Sequence, residues 1–430
     1  MNARHLLLIA YYFPPWGMGG VQRPFKLAKY LPEQGWDVTV IAPETGAYHA
    51  HDASLLEELP NGVTVHRVPA GFANRAKGSI QSGQAAGSSG LLQLVARGIQ
   101  QWLRWPDDKR GFAKRARKLA GQLAKDTRFD AVLTTSPPPS IHLAGMALAR
   151  SSGIPWIADF RDPWLVRRDD WGPSLFHFLY NRRLRKRMLR RANGVLATSD
   201  TTANELSRQV KGRRVQTIPN GFDEADFANV TSGGGIDPLT IALYGTVSPS
   251  IGADQLFGVL GAFHDRYPEI EFRIRHIGVS TGVDAADLAR VCGLSELFET
   301  TGYLPHRAAV RELMAADVVA LSMPRDPELD GTIPGRTFEV LRSLKPILLC
   351  APRGGALARL LDPHRGIWYF SPGDVRAGLA AVQGVLSLPR GVPVRTTESV
   401  AEFDRRHQAA QVAQILNDVC AMPKQVDVTA

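Results

Sequence analysis

The chain is short of several things, and each shortage removes a class of function. Only three of its 430 residues are cysteine, Cys292, Cys350 and Cys420. None stands at Cys-X-X-Cys spacing, so neither a disulfide frame nor a cysteine-held zinc site is expected, and the thiols read as reduced and buried. That points to the cytoplasm. No run of about 20 apolar residues is present to span a bilayer. The opening MNARHLLLIAYYFPPWG puts Arg4 ahead of an apolar run, as a signal peptide does, but no small-residue cleavage site follows and the run ends in Pro14-Pro15. It reads as a first buried strand. Heptads and internal repeats are absent. The glycine loop after that strand holds Gly17, Gly19 and Gly20, but Gln22 stands where a dinucleotide fingerprint places its last glycine. A nicotinamide dehydrogenase is disfavoured accordingly.

What is present describes a globular chain. Hydrophobic residues make up 44% and charged residues 21%, and the length suffices for two domains, each with its own core. Charge is unevenly spread: residues 1–230 carry 32 Lys/Arg against 19 Asp/Glu, and residues 231–430 carry 19 against 22. The first half therefore suits an anionic surface, whether membrane headgroups, a polyanionic substrate or nucleic acid.

Taken in order, residues 6–11 read as a strand, 21–32 as an amphipathic helix and WDVTVIAP as a second strand, a β-α-β unit around a glycine loop. VTVHRV (63–68) is a further strand, and residues 71–90 are a low-complexity loop. Residues 91–120 mix Trp102, Leu103, Trp105 and Phe112 with charged groups, as either a lipid-facing surface or a solvated helical hairpin would. FDAVLTTSPPPS is a strand and loop, followed after a helix by IPWIADF with Arg161-Asp162-Pro163-Trp164 at its end. Ligands of open α/β sheets sit at the C-terminal ends of strands, so Ser136 in SPPPS and Arg161 in RDPW are candidate cleft residues. Residues 176–191 form a helix with Phe176, Tyr180, Leu184 and Met188 every four positions and arginines on the other faces. TSGGGIDP (231–238) reads as a linker. A second alternation of strands and helices then runs to ILLC (347–350), and one last helix is expected over 398–420.

The stretch Asp330 to Cys350, DGTIPGRTFEVLRSLKPILLC, carries the sharpest local signal. Thr332 to Gly335 is turn chemistry, and Phe338, Leu341 and Leu344 then recur at helical spacing. A helix starting near Gly335 exposes backbone N–H groups suited to a phosphate, with Pro334, Gly335 and Thr337 around its start. Glu339 lies one turn on, roughly 6 Å of helical rise away, where a carboxylate can accept both hydroxyls of a ribose. A capped helix with a solvated glutamate is the equally weighted alternative.

In combination, GMGGVQRPFKLAKYLPEQGWDVTVIAP, SPPPSIHLAGMALARSSGIPWIADFRDPW, IPNGFD, TGYLPHRAAVRELMAADVVAL and IPGRTFEVLRSLKPIL resemble, in that order, bacterial glycosyltransferases of the family 4 type. The resemblance covers nearly the whole chain and is strongest to enzymes of exopolysaccharide and lipopolysaccharide assembly. It implies the GT-B fold: α/β, two Rossmann-like domains facing each other across a cleft, with a C-terminal helix packing back across the seam. The boundaries implied are 1–230 for the acceptor side, 231–397 for the nucleotide-sugar side, 398–421 for the crossing helix and 422–430 for a disordered tail.

By the same resemblance Gly19 and Gly20 face acceptor and donor phosphates, and Asp162 lies near the reacting sugar. Gly302, Tyr303 and Leu304 hold the nucleobase and Glu339 the ribose. Two positions depart from the pattern. Gly331 stands where the family has a sugar-contacting glutamate, and the loop after the first strand of the second domain, beginning Gly245-Thr246, has Thr246 and Ile251 where an arginine and a lysine are usual. Arg336 is the nearest cation able to take over the diphosphate, with Arg273 and Arg275 as competitors.

No Asp-X-Asp occurs in the sequence, the spacing by which the other main glycosyltransferase architecture holds a metal, so no metal and no cofactor is expected. The expected activity is metal-independent, retaining sugar transfer from a nucleotide-sugar donor to a glycan or lipid-linked acceptor in cell-surface polysaccharide biosynthesis. The enzyme would be cytoplasmic, peripheral on an anionic inner-membrane surface, and without a nucleic-acid partner. A sugar-nucleotide epimerase of the same fold and a basic non-catalytic nucleic-acid or membrane binder are the alternatives.

Overall fold

The computed structural model describes residues 4–44, 50–70, 106–162, 164, 172, 174–210, 215–228, 230, 233 and 238–422. The expectations for the 71–90 loop, for Trp102 and Trp105, for most of the 231–238 linker and for the tail beyond 422 lie outside the described residues. The chain divides into two compact units, Met1–Pro219 with Gln408–Ala430, and Asn220–His407. The division thus falls ahead of the glycine-rich segment expected to mark it.

The first unit is built on seven parallel strands: β1 (Arg4–Ala10), β2 (Trp36–Pro43), β3 (Val63–Val68), β4 (Ala131–Ser136), β5 (Trp156–Phe160), β6 (Gly194–Ala197) and β7 (Val215–Thr217). Their order is β3-β2-β1-β4-β5-β6-β7. Leu8 of β1 stands between Val40 of β2 and Leu133 of β4. The central strands are apolar almost throughout because helices cover both faces of the sheet; β4 and β5 have no exposed position. The sheet order reverses between β1 and β4, and the C-terminal ends of these two strands are where such a sheet binds ligands.

Two helices differ from the sequence reading for identifiable reasons. In Leu175–Arg191 the residues expected on one face separate: Leu184 and Met188 are buried, but Phe176 is 68% and Tyr180 40% exposed. Four residues advance an α-helix by about 400°, so a strict every-fourth stripe rotates about 40° per step and leaves the covered face. The face that is covered carries His177, Asn181, Leu184, Arg185, Met188 and Leu189. The expected single C-terminal helix is broken at Asp404 into a 3-10 segment Glu398–Phe403 and a helix Arg405–Ala421. Phe222 causes the break, its N–H donating to the Phe403 carbonyl (3.1 Å) and its carbonyl accepting from Arg405 (2.8 Å). Asp404 is held extended between them, and its carboxylate accepts from the Arg406 N–H at 2.6 Å. Beyond the break, Ala409, Val412, Ala413, Leu416 and Val419 join the core of the first unit.

The second unit holds β8 (Leu239–Tyr244), β9 (Phe272–Ile277), β10 (Phe298–Thr300), β11 (Val318–Ser322), β12 (Ile347–Cys350) and β13 (Ile367–Phe370). They form a parallel sheet in the order β10-β9-β8-β11-β12-β13, again with a reversal, here between β8 and β11. The edge strand β13 and the helix Val375–Leu386 after it were not anticipated. Three of the four β13 residues are half-exposed, so the short run IWYF shows no clean apolar signal. Among the described residues no helix is long and apolar enough to cross a membrane.

Candidate active site

In the first unit, the loop after β1 passes through a short turn, Gly19–Val21, into the helix Gln22–Tyr30. Arg161, just past β5, gathers two of the expected residues, Ser136 and Gly20, together with Tyr12. Its Nε donates to the Ser136 carbonyl at 2.8 Å, its Nη1 donates to the Gly20 carbonyl, and its guanidinium lies 5.7 Å over the Tyr12 ring. Burial lowers its pKa, opposed by the neighbouring Asp162 and Asp159 carboxylates. Neither loop glycine is required by packing. A Cβ on Gly19 would meet nothing within 4 Å, and one on Gly20 would come only to 3.6 Å from Tyr12. Asp162 follows Arg161 and is exposed. Ser136 is buried and its hydroxyl donates to the Asp159 carbonyl (3.4 Å), so both of its polar groups serve the strand ends.

Beneath these residues lies an ion pair that the sequence reading did not single out. Asp159 is wholly buried, and Arg23 grips its two oxygens with Nε and Nη2 at 2.9 and 2.8 Å. Thr135 adds a third donor at 2.7 Å. Burial works against the carboxylate, but the Arg23 charge and these hydrogen bonds outweigh it and hold the pKa below the ordinary range. Arg23 also donates through Nη1 to the carbonyls of Ile218 (2.9 Å) and Pro219 (2.8 Å). The signal for this pair was Asp159, the single charge in the otherwise apolar strand WIADF, which requires a cationic partner.

The helix Ile141–Ser152, which follows SPPPS, has its start closed by the protein itself. Asp107 accepts from the Ser140 N–H at 2.7 Å and from its hydroxyl at 2.8 Å. Near the helix start, His142 is fully buried. Thr134 Oγ1 takes the Trp156 indole N–H at 2.8 Å and faces His142 Nδ1 at 2.8 Å. Burial lowers the His142 pKa to about 3, so the ring is neutral.

In the second unit, β8 ends at Tyr244 and the loop opens with Gly245, whose φ of +92° calls for glycine. Arg336 does not stand free beside its own helix, Arg336–Arg342. Its side chain crosses to this loop, Nη1 donates to the Thr246 carbonyl at 2.7 Å, and a Cβ on Gly245 would lie 3.0 Å from its Cδ. Burial brings the guanidinium down to about 10, against the effect of Tyr244, so it remains charged. Its Nε is buried and has no hydrogen-bond partner among the described residues, nor has the Thr337 hydroxyl. Gly335 is exposed, its φ is −56°, and a Cβ there would come only to 4.0 Å from Asn220. Pro334 accepts the Thr337 N–H at 3.0 Å, closing the turn.

The competing cations are otherwise disposed. Arg275 is held by Glu299 (2.6 Å) and Glu312 (2.8 Å), and Arg273 is exposed. Gly302 has a φ of +67°, which glycine accommodates, in the turn before the helix His306–Ala315. Tyr303 there is half-buried and Leu304 packs on the core. Glu339 is 12% exposed and 3.5 Å from His306 Nε2, and its charge helps to push the Tyr244 phenol above its ordinary range.

Residues 19–221 match the family model described as a glycosyl transferase 4-like domain. That segment, a little under half of the chain, carries the pattern of a glycosyl transferase 4-like domain. No curated protein matches the chain at a significant level. Among solved structures, the chain is similar to sucrose-phosphate synthase from Thermosynechococcus elongatus, with 17% identity, 97% of this chain and 99% of that one covered, and a TM-score of 0.63. An alpha,alpha-trehalose-phosphate synthase (UDP-forming) from Burkholderia vietnamiensis matches at 12% identity, 97% and 99% coverage and a TM-score of 0.62. The lipopolysaccharide outer core galactosyltransferase WaaB matches at 11% identity, 96% and 99% coverage and a TM-score of 0.56. At these identities the likeness is one of fold: two Rossmann-like domains in one chain, the GT-B type.

Proposed function

We propose that this glycosyltransferase moves a sugar from a nucleotide-sugar donor to a glycan or lipid-linked acceptor of the cell surface, with retention and without a metal. The observation that carries the reading is Arg336. Thr246 and Ile251 cannot neutralise a diphosphate, yet Arg336 brings a charged guanidinium onto the Thr246 carbonyl. There it can meet the leaving nucleoside diphosphate as negative charge develops. Glu339 takes the ribose, the backbone of Gly302-Tyr303-Leu304 the base, and Asp162 stands near the reacting sugar. Gly19, Gly20 and Gly335, which their own packing does not require to be glycine, leave room for substrate backbone contacts. The UDP-forming synthase and the outer-core galactosyltransferase among the fold neighbours support a nucleoside diphosphate product and a cell-surface acceptor.

The acceptor side docks on an anionic membrane on the cytoplasmic face. Leu175, Phe176, Leu179 and Tyr180 are exposed in the first turns of the helix Leu175–Arg191, followed by exposed Arg182, Arg183, Lys186, Arg187 and Arg190. The helix contains no acidic residue, so apolar insertion and attraction to headgroups act together.

The test is nucleotide release from a panel of UDP-, GDP-, ADP- and dTDP-sugars. One donor should release free nucleotide, and Glu339→Gln should raise its KM about tenfold, the loss of one hydrogen bond to a charged group. Release from no donor overturns the proposal, and conversion of the sugar without release moves the assignment to an epimerase.

A further inference from the structure

The carboxylate proposed to take the ribose is not held by its own helix. Four segments of the second unit converge on it: the end of β8 with Tyr244, the short helix Glu224–Phe227 with Asp226, His306 opening its helix, and Glu339 itself. His306 Nε2 lies 3.1 Å from Asp226 Oδ2 and 3.5 Å from Glu339 Oε1. Neither ionised carboxylate can donate, so Nε2 carries the proton and both oxygens face one N–H. The shorter contact goes to Asp226, which is buried (side chain 2% exposed) and so fixes the ring more firmly than it fixes Glu339. Tyr244, 6% exposed, also lies close enough to Glu339 for the carboxylate to act on its phenol. Burial and the Glu339 charge both push the phenol well above its ordinary range, so it stays a donor.

The helix bearing Glu339 is also tied to the Asp226 segment from its far end. Arg342 Nε donates to Glu224 Oε2 at 2.5 Å, with a second contact from Nη2 to Oε1. Thus the segment Glu224–Phe227 anchors both the helix and, through Asp226 and His306, the carboxylate on it. A carboxylate offers about four acceptor positions. His306 Nε2 faces one oxygen at 3.5 Å and the Tyr244 phenol lies nearby, which leaves acceptor positions for a vicinal diol.

Resting on the reading of Glu339 as the ribose ligand, we infer that Tyr244 and His306 are its positioning residues. They fix the rotamer of Glu339 so that two acceptor positions meet the 2′- and 3′-hydroxyls of the donor, and Asp226 fixes His306 in turn. Neither touches the reacting atoms. Their effect should therefore appear in discrimination between ribose and deoxyribose and in KM, while kcat is little changed.

The test uses the full chain and calorimetric titration with UDP, GDP and ADP and their 2′-deoxy counterparts. The nucleotide that binds best should lose about tenfold in affinity without its 2′-hydroxyl. Tyr244→Phe and His306→Ala should each remove most of that ratio, about fivefold, and His306→Gln, which returns an N–H at similar reach, should restore it. In a Glu339→Gln background neither substitution should change the ratio further. If wild type discriminates and Glu339→Gln abolishes this, but Tyr244→Phe and His306→Ala keep the full ratio, the positioning role is refuted and the ribose assignment stands. If wild type does not discriminate, the ribose assignment fails first. Should His306→Ala fail to fold, Tyr244→Phe and His306→Gln still decide the outcome, since a full ratio in Tyr244→Phe or failed restoration in a folded His306→Gln overturns the corresponding role.

Discussion

The Arg23–Asp159 pair can be tested by removing either partner. Asp159 is wholly buried and accepts three side-chain hydrogen bonds, two from Arg23 and one from Thr135. Arg23→Met leaves the buried carboxylate with the threonine hydrogen bond and the more distant Arg161 charge, and Asp159→Leu leaves a buried guanidinium hydrogen-bonded only to the Ile218 and Pro219 carbonyls. An uncompensated buried charge of this kind costs about 3–5 kcal/mol, whereas replacing both partners with apolar residues of similar volume is often neutral or better. In a unit of this size, 1 kcal/mol moves Tm by about 2–4 °C. Each single variant should therefore unfold about 10 °C lower by calorimetry, and Arg23→Met/Asp159→Leu should recover more than half of the loss. The consequence for function is local. Arg23 stands in the helix that follows the glycine loop, and Asp159 ends the strand before Arg161, so single variants that still fold should also show raised KM for acceptor. Single variants within about 1 kcal/mol of wild type, or a double variant equal to the sum of the singles, would refute the reasoning.

Arg336→Ala should lower kcat by tenfold or more with little change in Tm, whereas Arg275→Ala, whose charge is already met by Glu299 and Glu312, should stay near wild type; the reverse pattern in turnover assays reassigns the diphosphate cation. Wild type should sediment with anionic vesicles and not with neutral ones, and Phe176→Ser/Leu179→Ser should bind more weakly; about 1 kcal/mol per basic residue makes the binding salt-sensitive, and equal binding to both vesicle types sinks the docking surface. His142 titrates at about 3 when folded against 6.5 when unfolded, so between these values the unfolded chain binds the extra proton and stability falls as pH drops. At pH 4.5 the loss from this residue is about 2–3 kcal/mol. His142→Gln should show a smaller decline in urea-unfolding free energy between pH 7 and 4.5, and identical slopes would refute the assignment.

Much of the scaffold was legible because parallel strands buried on both faces announce themselves as short apolar runs. WDVTVIAP and VTVHRV were placed to the residue. The glycine loop, Ser136 and Arg161 were located because strand ends are marked by turn residues. What stayed hidden was long-range partnership. Nothing in the spacing of QRPFKLAKY says that Arg23 pairs with a residue far along the chain, although Asp159, the single charge in the strand WIADF, demands a partner. The every-fourth stripe of residues 176–191 misled because periodicity reports composition of a face, whereas coverage depends on what packs there. The break at Asp404 was invisible because its cause, Phe222, lies far away in sequence.

Each unit solves the same electrostatic problem at its switch point, and the solutions are alike in kind. Under the proposed function a loop after the central strand accepts a negatively charged substrate group, and its own carbonyl oxygens oppose that approach. In the first unit Arg161 donates to the Gly20 carbonyl, and in the second Arg336 donates to the Thr246 carbonyl. In both cases the guanidinium comes from a different segment, the end of the next strand but one or a helix far along the chain. A planar group with five N–H donors can satisfy the carbonyl on one edge and keep the other for an anion, which an ammonium on a flexible stem does less well. The missing arginine and lysine at Thr246 and Ile251 therefore need not leave the loop without charge. A backbone carbonyl at that position acts as the anchor for an arginine delivered from outside it, and the buried Nε of Arg336, without a partner among the described residues, leaves the group with donor capacity still to be met.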